Sequence, residues 1–249
     1  MKLNGKVAII TGGGTGIGEA TAKLFAAQGA YVILTGRRQD ALESVAKNII
    51  ASGGKVLTVS GSVTDETHVQ SVVEQTMRTF GKIDLLVNNA ALGGFGVRLH
   101  EITDQTWHNT LDTNLTGVFR MTRAVIPHML GRGGAIVNVS SVAGLVGFSG
   151  SAAYSSTKGA LVALTRVLAI EYAQEKIRCN SVCPALVETP MAAEVLTDPD
   201  RRALMTAAHP IGRIGTPDDV ARMLLYLASD DASWVTGSVF TIDGGLTAQ

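Results

Sequence analysis

Ser141, Tyr154 and Lys158 are the residues of this chain whose types and spacing most directly suggest chemistry. Tyr154 and Lys158 stand four residues apart in Ser151-Ala152-Ala153-Tyr154-Ser155-Ser156-Thr157-Lys158, and Ser141 closes the strand-like run Ala135-Ile136-Val137-Asn138-Val139-Ser140-Ser141. The segment from Gly159 to Ala173 reads as helix. If that helix starts near Ala152, the phenol and the ammonium share one face, one turn apart. A free phenol titrates near pH ~10. A lysine held beside it favours the phenolate and is expected to lower that value, bringing Tyr154 toward use as a general acid or base. The pair alone is a weak signal, because Tyr-x-x-x-Lys also occurs on ordinary helices.

The elements that must position these groups raise its weight. Lys6-Val7-Ala8-Ile9-Ile10 is a short apolar run, readable as a buried parallel strand. It leads into Thr11-Gly12-Gly13-Gly14-Thr15-Gly16-Ile17-Gly18, and helix formers follow from Glu19 to Gln28. Strand, glycine-rich turn and helix start together make a phosphate site, with bare backbone N–H groups and the helix dipole directed at the anion. Glycines at 12, 16 and 18 permit positive φ and close approach of backbone to a pyrophosphate. The spacing is Thr-Gly-x-x-x-Gly-x-Gly, and no G-x-G-x-x-G fits between Gly12 and Gly18.

Strands are expected near 6–11, 31–35, 55–60, 83–88, 134–140, 177–183 and 238–242. Helices are expected near 17–28, 39–52, 65–80, 104–130, 152–174, 191–207 and 217–228. This alternation predicts an α/β fold, a doubly wound, seven-stranded parallel sheet with right-handed crossovers and helices on both faces. No linker interrupts it, so residues 1–249 are read as one domain. The glycine loop, Asn88, Ser141 and Pro184 all follow strands, at the carboxyl ends where such sheets bind ligands.

In this order Thr-Gly-x-x-x-Gly-x-Gly, Asn88-Asn89-Ala90, Asn114, Ser141 and Tyr154-x-x-x-Lys158 resemble the short-chain dehydrogenase/reductase family, and the likeness runs from Lys6 to Val239-Phe240-Thr241-Ile242-Asp243-Gly244-Gly245. The resemblance implies a Rossmann-type domain, a nicotinamide cofactor and hydride transfer at a carbonyl or alcohol carbon. It makes Asn114, Ser141, Tyr154 and Lys158 the catalytic group, with Asn114 kinking its helix and holding a water beside Lys158. Gly12, Gly14, Thr15, Gly16, Ile17 and Gly18 then face the pyrophosphate, and Tyr154 and Lys158 also meet the cofactor. Asn89, Ala90 and Ala91 border it, Ala91 standing where the family usually has Gly. Pro184-Ala185 replaces the common Pro-Gly, and Val187, Thr189 and Met191 fall at contact positions.

Cofactor choice is read after the second strand. An acidic residue there would bond the adenosine ribose and repel a 2′-phosphate. The chain has Gly36, then Arg37 and Arg38. The gap leaves room and a guanidinium pairs with phosphate, so NADP(H) is favoured over NAD(H). Thr15 counts against this, since many NADP-dependent relatives carry Lys or Arg there. Ser62-Val63 stands where the family often has Asp-Val at the adenine. The alternative readings are an NAD(H) enzyme of the same family, an epimerase or dehydratase, and a cofactor sensor without turnover.

Lys plus Arg equals Asp plus Glu, 21 each, with no basic stripe, so neither nucleic acid nor an anionic membrane is an expected partner. Residues 1–10 lack a signal-like apolar core and no apolar run reaches membrane length. The expectation is a cytoplasmic chain. Cys179 and Cys183, about 13 Å apart along a strand, are too far for a disulfide. The five histidines show no metal-ligand spacing, and no catalytic metal is expected. The substrate is read as an uncharged, moderately apolar small-molecule ketone or secondary alcohol, bordered by Leu92, Phe95, Ser141, Leu145, Phe148 and Leu196 under a lid at 189–213. Segments 104–130 and 152–174 carry more apolar residues than one face needs, and the last strand, with Trp234, leaves an uncovered edge. Both features, with the family resemblance, point to a homotetramer.

Overall fold

Val7-Ala8-Ile9-Ile10-Thr11 forms β1 (Val7–Thr11) with every residue buried. Strands apolar on both faces belong in a sheet covered on both sides. The computed structural model describes residues 1–249 and joins β1 to β2 (Tyr31–Gly36), β3 (Lys55–Ser60), β4 (Leu85–Asn88), β5 (Gly134–Val139), β6 (Ile177–Pro184) and β7 (Val239–Ile242). The sheet order is β3-β2-β1-β4-β5-β6-β7, with every pairing parallel. The winding direction reverses between β1 and β4, which opens a crevice at their carboxyl ends.

Helices α1 (Gly16–Ala27), α2 (Gln39–Ala51) and α9 (Pro217–Ala228) cover one face. Phe25, Leu42, Val45, Val220 and Leu224 pack there against Ile10, Leu34 and Val137. On the other face α3 (Glu66–Phe80), α5 (Gly117–Val125) and α6 (Ala152–Glu171) bring Val69, Val72, Met121 and Leu168 onto Ile9, Ile33 and Ile136. No helix is long and apolar enough to cross a membrane.

Three expectations need correction. The helix expected over 104–130 is α4 (Asp104–Leu111), a π-helical turn at Asp112–Thr116, α5, and a 3-10 turn at Ile126–His128 that carries Pro127. A proline lacks the N–H needed to continue a helix, and the π turn sits around Asn114. The helix expected over 191–207 is a 3-10 turn (Pro190–Ala192), α7 (Ala193–Leu196) and α8 (Pro199–Ala208). Asp198 caps α8 through the Asp200 and Arg201 amides, with Pro199 at the first helical position. The apolar excess is also smaller than its composition suggests. Val118, Met121, Val125, Ile126, Met129, Leu161, Val162 and Leu168 are all buried within the chain, whereas Phe119, Val167 and Ile170 stay exposed. Trp234 is exposed as well, and it precedes β7 rather than lying in it.

Candidate active site

The loops after β1, β2, β3, β4, β5 and β6 enclose one cavity of about 790 Å³ at the carboxyl end of the sheet. At its β1 end the glycines are required by contact. Gly12 has φ 65°, and a β-carbon there would sit 2.8 Å from Asn89 Nδ2. At Gly16, φ is 56° and the clash would be with Thr189 Cγ2 at 2.9 Å. Gly18 is the tightest, since a β-carbon would lie 2.1 Å from the Gly12 carbonyl oxygen. Asn89 secures the turn by donating from Nδ2 to the carbonyls of Thr11 (2.9 Å) and Gly12 (3.2 Å). The first-turn N–H groups of α1 have no intrahelical acceptor. A bare cradle of backbone N–H groups at a helix start fits the pyrophosphate of a dinucleotide.

At the β2 end, Gly36, Arg37 and Arg38 line the cavity, and Arg38 donates to the Thr15 hydroxyl at 3.2 Å. Ser62 and Val63 line it beyond β3, and the Ser62 hydroxyl is engaged with Thr64 at 2.8 Å. Ala90, Ala91, Pro184, Ala185, Val187, Thr189 and Met191 line the remainder. Gly18 does not border the cavity; its absent side chain lets α1 pack against β1.

Helix α6 presents Tyr154 and Lys158 on one face, both buried and both lining the cavity with Ser141. Lys158 Nζ donates to the Val139 carbonyl at 2.7 Å and lies 5.5 Å from the Tyr154 ring centre. Ser140 ties the helix start to β5 by donating to the Lys158 carbonyl at 2.7 Å. The Ser141 hydroxyl accepts from the Ala143 amide at 3.1 Å. Contrary to the expectation from spacing, burial dominates the titration of the pair. It pushes the Tyr154 phenol up to about 12, against a smaller opposing effect of the Ser141 hydrogen bond. It also brings the Lys158 ammonium down to about 8. Desolvation penalises the charged form of both groups.

Asn114 is fully buried and does not border the cavity. Its Oδ1 accepts from the Leu92 amide (2.7 Å), and its Nδ2 donates to the Leu92 carbonyl (2.9 Å) and Thr157 Oγ1 (3.3 Å). Both amide hydrogens are thus spent on protein acceptors, so the side chain braces a loop instead of offering those donors to a water beside Lys158.

Of the substrate-side residues, Phe95 and Phe148 line the cavity, but Leu92, Leu145 and Leu196 do not. Phe95 lies over Tyr154, ring centres 4.8 Å apart and tilted 55°. Sequence reasoning missed Val142, Ala143, Ala208, His209 and Leu246, all of which line it. Leu246 belongs to the turn after β7 and reaches the cavity only through the fold. His209 was legible only as an isolated histidine.

A family model described as enoyl-(acyl carrier protein) reductase matches residues 12–247. The chain is 42% identical over 247 residues to 3-oxoacyl-(acyl-carrier-protein) reductase FabG of Thermotoga maritima, with 99% of each chain covered. The chain belongs to the short-chain dehydrogenase/reductase family. Cyclohexanol dehydrogenase of an Acinetobacter species is a further relative of this short-chain dehydrogenase, 39% identical over 249 residues, with 100% of this chain and 97% of the relative covered. A crystal structure of a short-chain type dehydrogenase/reductase from Mycobacterium marinum superposes with a TM-score of 0.95 at 36% identity, covering 100% of this chain and 98% of that one. As a member of this family, the protein is an oxidoreductase acting on alcohol and carbonyl groups with a nicotinamide cofactor.

Proposed function

We propose that this short-chain dehydrogenase uses NADP(H) to interconvert an uncharged, largely apolar ketone and its secondary alcohol, with Tyr154 as general acid and base. The charge lining the cavity carries this reading. No Asp or Glu borders it, whereas Arg37, Arg38 and Lys158 do. The Arg38 guanidinium is steadied by Thr15 at the end of β2, where an acidic side chain would select the unphosphorylated ribose. A guanidinium at the cavity edge, with no carboxylate in the lining, suits a 2′-phosphate. Thr15, neutral where many NADP-dependent relatives are basic, here accepts a hydrogen bond from Arg38 at 3.2 Å.

When bound, the nicotinamide supplies hydride to the carbonyl carbon or removes it from the carbinol carbon. Tyr154 supplies the matching proton in reduction. Burial favours its neutral form, so the donor is charged with a proton before the alkoxide develops. In the oxidative direction Tyr154 accepts the carbinol proton, and Lys158, held by Val139 with Nζ 5.5 Å from the ring centre, is placed to offset part of the burial that disfavours the phenolate. The Ser141 hydroxyl offers the substrate oxygen a second donor. Asn114 acts as a positioning residue through Leu92 and Thr157.

Phe95, Phe148, Met191, Val195, Met205 and Leu246 on the cavity wall support an apolar substrate body, and the similarity to cyclohexanol dehydrogenase supports a ring. Assaying NADPH and NADH oxidation against a panel of cyclic and open-chain ketones tests the reading. NADPH-dependent reduction of cyclic ketones is the expected result; a preference for NADH would leave the NAD(H) enzyme as the better description. The exposed Phe119, Val167 and Ile170 support burial between subunits of a homotetramer. Light scattering across a dilution series tests this, and a stable active monomer would defeat it.

A further inference from the structure

Phe95 stands on the cavity wall beside the proton donor. Its ring centre is 4.8 Å from that of Tyr154, at a tilt of 55°, and both residues line the cavity. Tyr154 is 8% exposed, whereas Phe95 is 53% exposed. The larger part of the Phe95 ring is therefore free to meet a ligand, while its contact with Tyr154 covers one side of the phenol.

The backbone that carries Phe95 is fastened on both sides. Leu92 is bonded through its amide and its carbonyl to the buried Asn114 side chain. Gly96, at φ 88°, crosses Gly150 so closely that a β-carbon at Gly150 would lie 3.0 Å from the Gly96 amide nitrogen. Only Gly93, Gly94 and Phe95 lie between these two points. Gly93 is itself against the lid, since a β-carbon there would meet Met191 Cγ at 3.4 Å. So short a segment, held at both ends, has little reach with which to recede. Phe95 is a wall of the site rather than a loose cover.

A ketone whose oxygen bonds Tyr154 brings the carbons next to its carbonyl into the neighbourhood of the phenol, and so of Phe95. Carbons across a substrate ring lie several bonds from this contact. We propose that Phe95 is a specificity-determining residue that limits the bulk a substrate can carry beside its reacting carbonyl, so that the enzyme takes unsubstituted cyclic ketones and rejects those with a large group on the adjacent carbon. The assignment rests on the ketone and alcohol reading of this cavity. Added volume against a held wall forces strain, and the resulting discrimination is expressed in the ratio of kcat/KM values.

The test compares kcat/KM for cyclohexanone, its 2-methyl, 2-isopropyl and 2-phenyl derivatives, and the matching 4-substituted ketones, which carry the same bulk away from the carbonyl. In the wild type the 2-phenyl ketone should fall below its 4-phenyl isomer by roughly tenfold or more. In Phe95→Ala that ratio should move toward one, Phe95→Leu should lie between, and Phe95→Trp should steepen it. Each ratio is taken within one protein, so a general loss of activity cancels. Calorimetric titration of the same ketones into the NADP⁺-loaded protein, where reduction cannot run, separates the two readings. Weaker binding of 2-substituted than 4-substituted ketones, relieved in Phe95→Ala, supports the assignment even if no ketone is reduced with NADPH, in which case the reaction reading alone falls. Equal treatment of the two series by the wild type, or a discrimination that survives Phe95→Ala unchanged, overturns it.

Discussion

Asn114 and Leu92 exchange two hydrogen bonds, the Leu92 amide donating to Oδ1 at 2.7 Å and Nδ2 donating to the Leu92 carbonyl at 2.9 Å. The loop after β4 is thereby fastened to the π turn between α4 and α5. The remaining amide hydrogen reaches Thr157 Oγ1, which in turn donates to the Tyr154 carbonyl at 2.7 Å. One buried amide thus links the loop beneath Phe95 to the helix that carries Tyr154.

Asn114→Ala should strip partners from both Leu92 backbone groups. Leaving them unpaired costs about 2–3 kcal/mol, a fall in Tm of roughly 4–12 °C for a chain of this size. Asn114→Asp keeps the acceptor for the Leu92 amide and should lie between. Thermal unfolding of the three proteins checks the ranking, and identical midpoints would exclude the brace.

Tyr154→Phe should lower kcat by about 10²–10⁴-fold, the range of general acid–base catalysis. Cofactor binding should persist, because the ring and its packing on Phe95 remain. Steady-state rates together with cofactor fluorescence titration measure both. A near-normal kcat in this variant would remove Tyr154 as the proton donor.

Gly36→Asp should reverse the cofactor preference. A β-carbon at Gly36 meets its nearest neighbour, Leu42 Cδ2, at 3.7 Å, so a side chain can start from this position without a clash. It would bond the ribose of NAD and repel a 2′-phosphate. Titration of both cofactors into wild type and variant tests this; unchanged relative affinities would make Arg37 and Arg38 bystanders.

Gly18→Ala should abolish cofactor binding and destabilise the fold, since its methyl would lie 2.1 Å from the Gly12 carbonyl oxygen. Gly147→Ala, with nothing within 4 Å, serves as the control and should cost little. Unfolding curves and cofactor titration of the two variants give the contrast. Equal stability would mean that α1 can move away from β1 freely.

Lys158 makes stability depend on pH. Burial lowers its ammonium from 10.5 to about 8. Between those values the unfolded chain holds a proton that the folded chain has released, so this contribution rises with pH from about 8 toward 10.5. Tyr154, raised from 10.0 to about 12, keeps a proton in the folded chain that the unfolded chain loses; its contribution falls with pH above 10. In Lys158→Met the rise should vanish, so the cofactor-free wild type should gain Tm relative to that variant between pH 8 and 10. A Tm difference that stays flat over this interval would contradict a buried, depressed ammonium.

The seven strands, the glycine cradle and the Tyr154–Lys158 spacing were legible because each is a local pattern. Short apolar runs identify the strands, and a separation of four places two side chains on one helical face whatever surrounds the helix. The start of α8 is equally local, in Asp198-Pro199, although the apolar residues on either side favour one continuous helix.

Titration and pairing were decided by tertiary structure. The sequence sets Lys158 beside Tyr154, but only packing against β5 and Phe95 removes the water that would keep both groups near their ordinary values. Asn114 finds Leu92 across a separation of 22 residues, and His209 joins the cavity because α8 and the turn after β7 fold over it. A sequence specifies which groups are present and how far apart they lie along the chain. Desolvation and hydrogen-bond partnership depend on what the whole fold brings around each group, so they arise only with the tertiary structure.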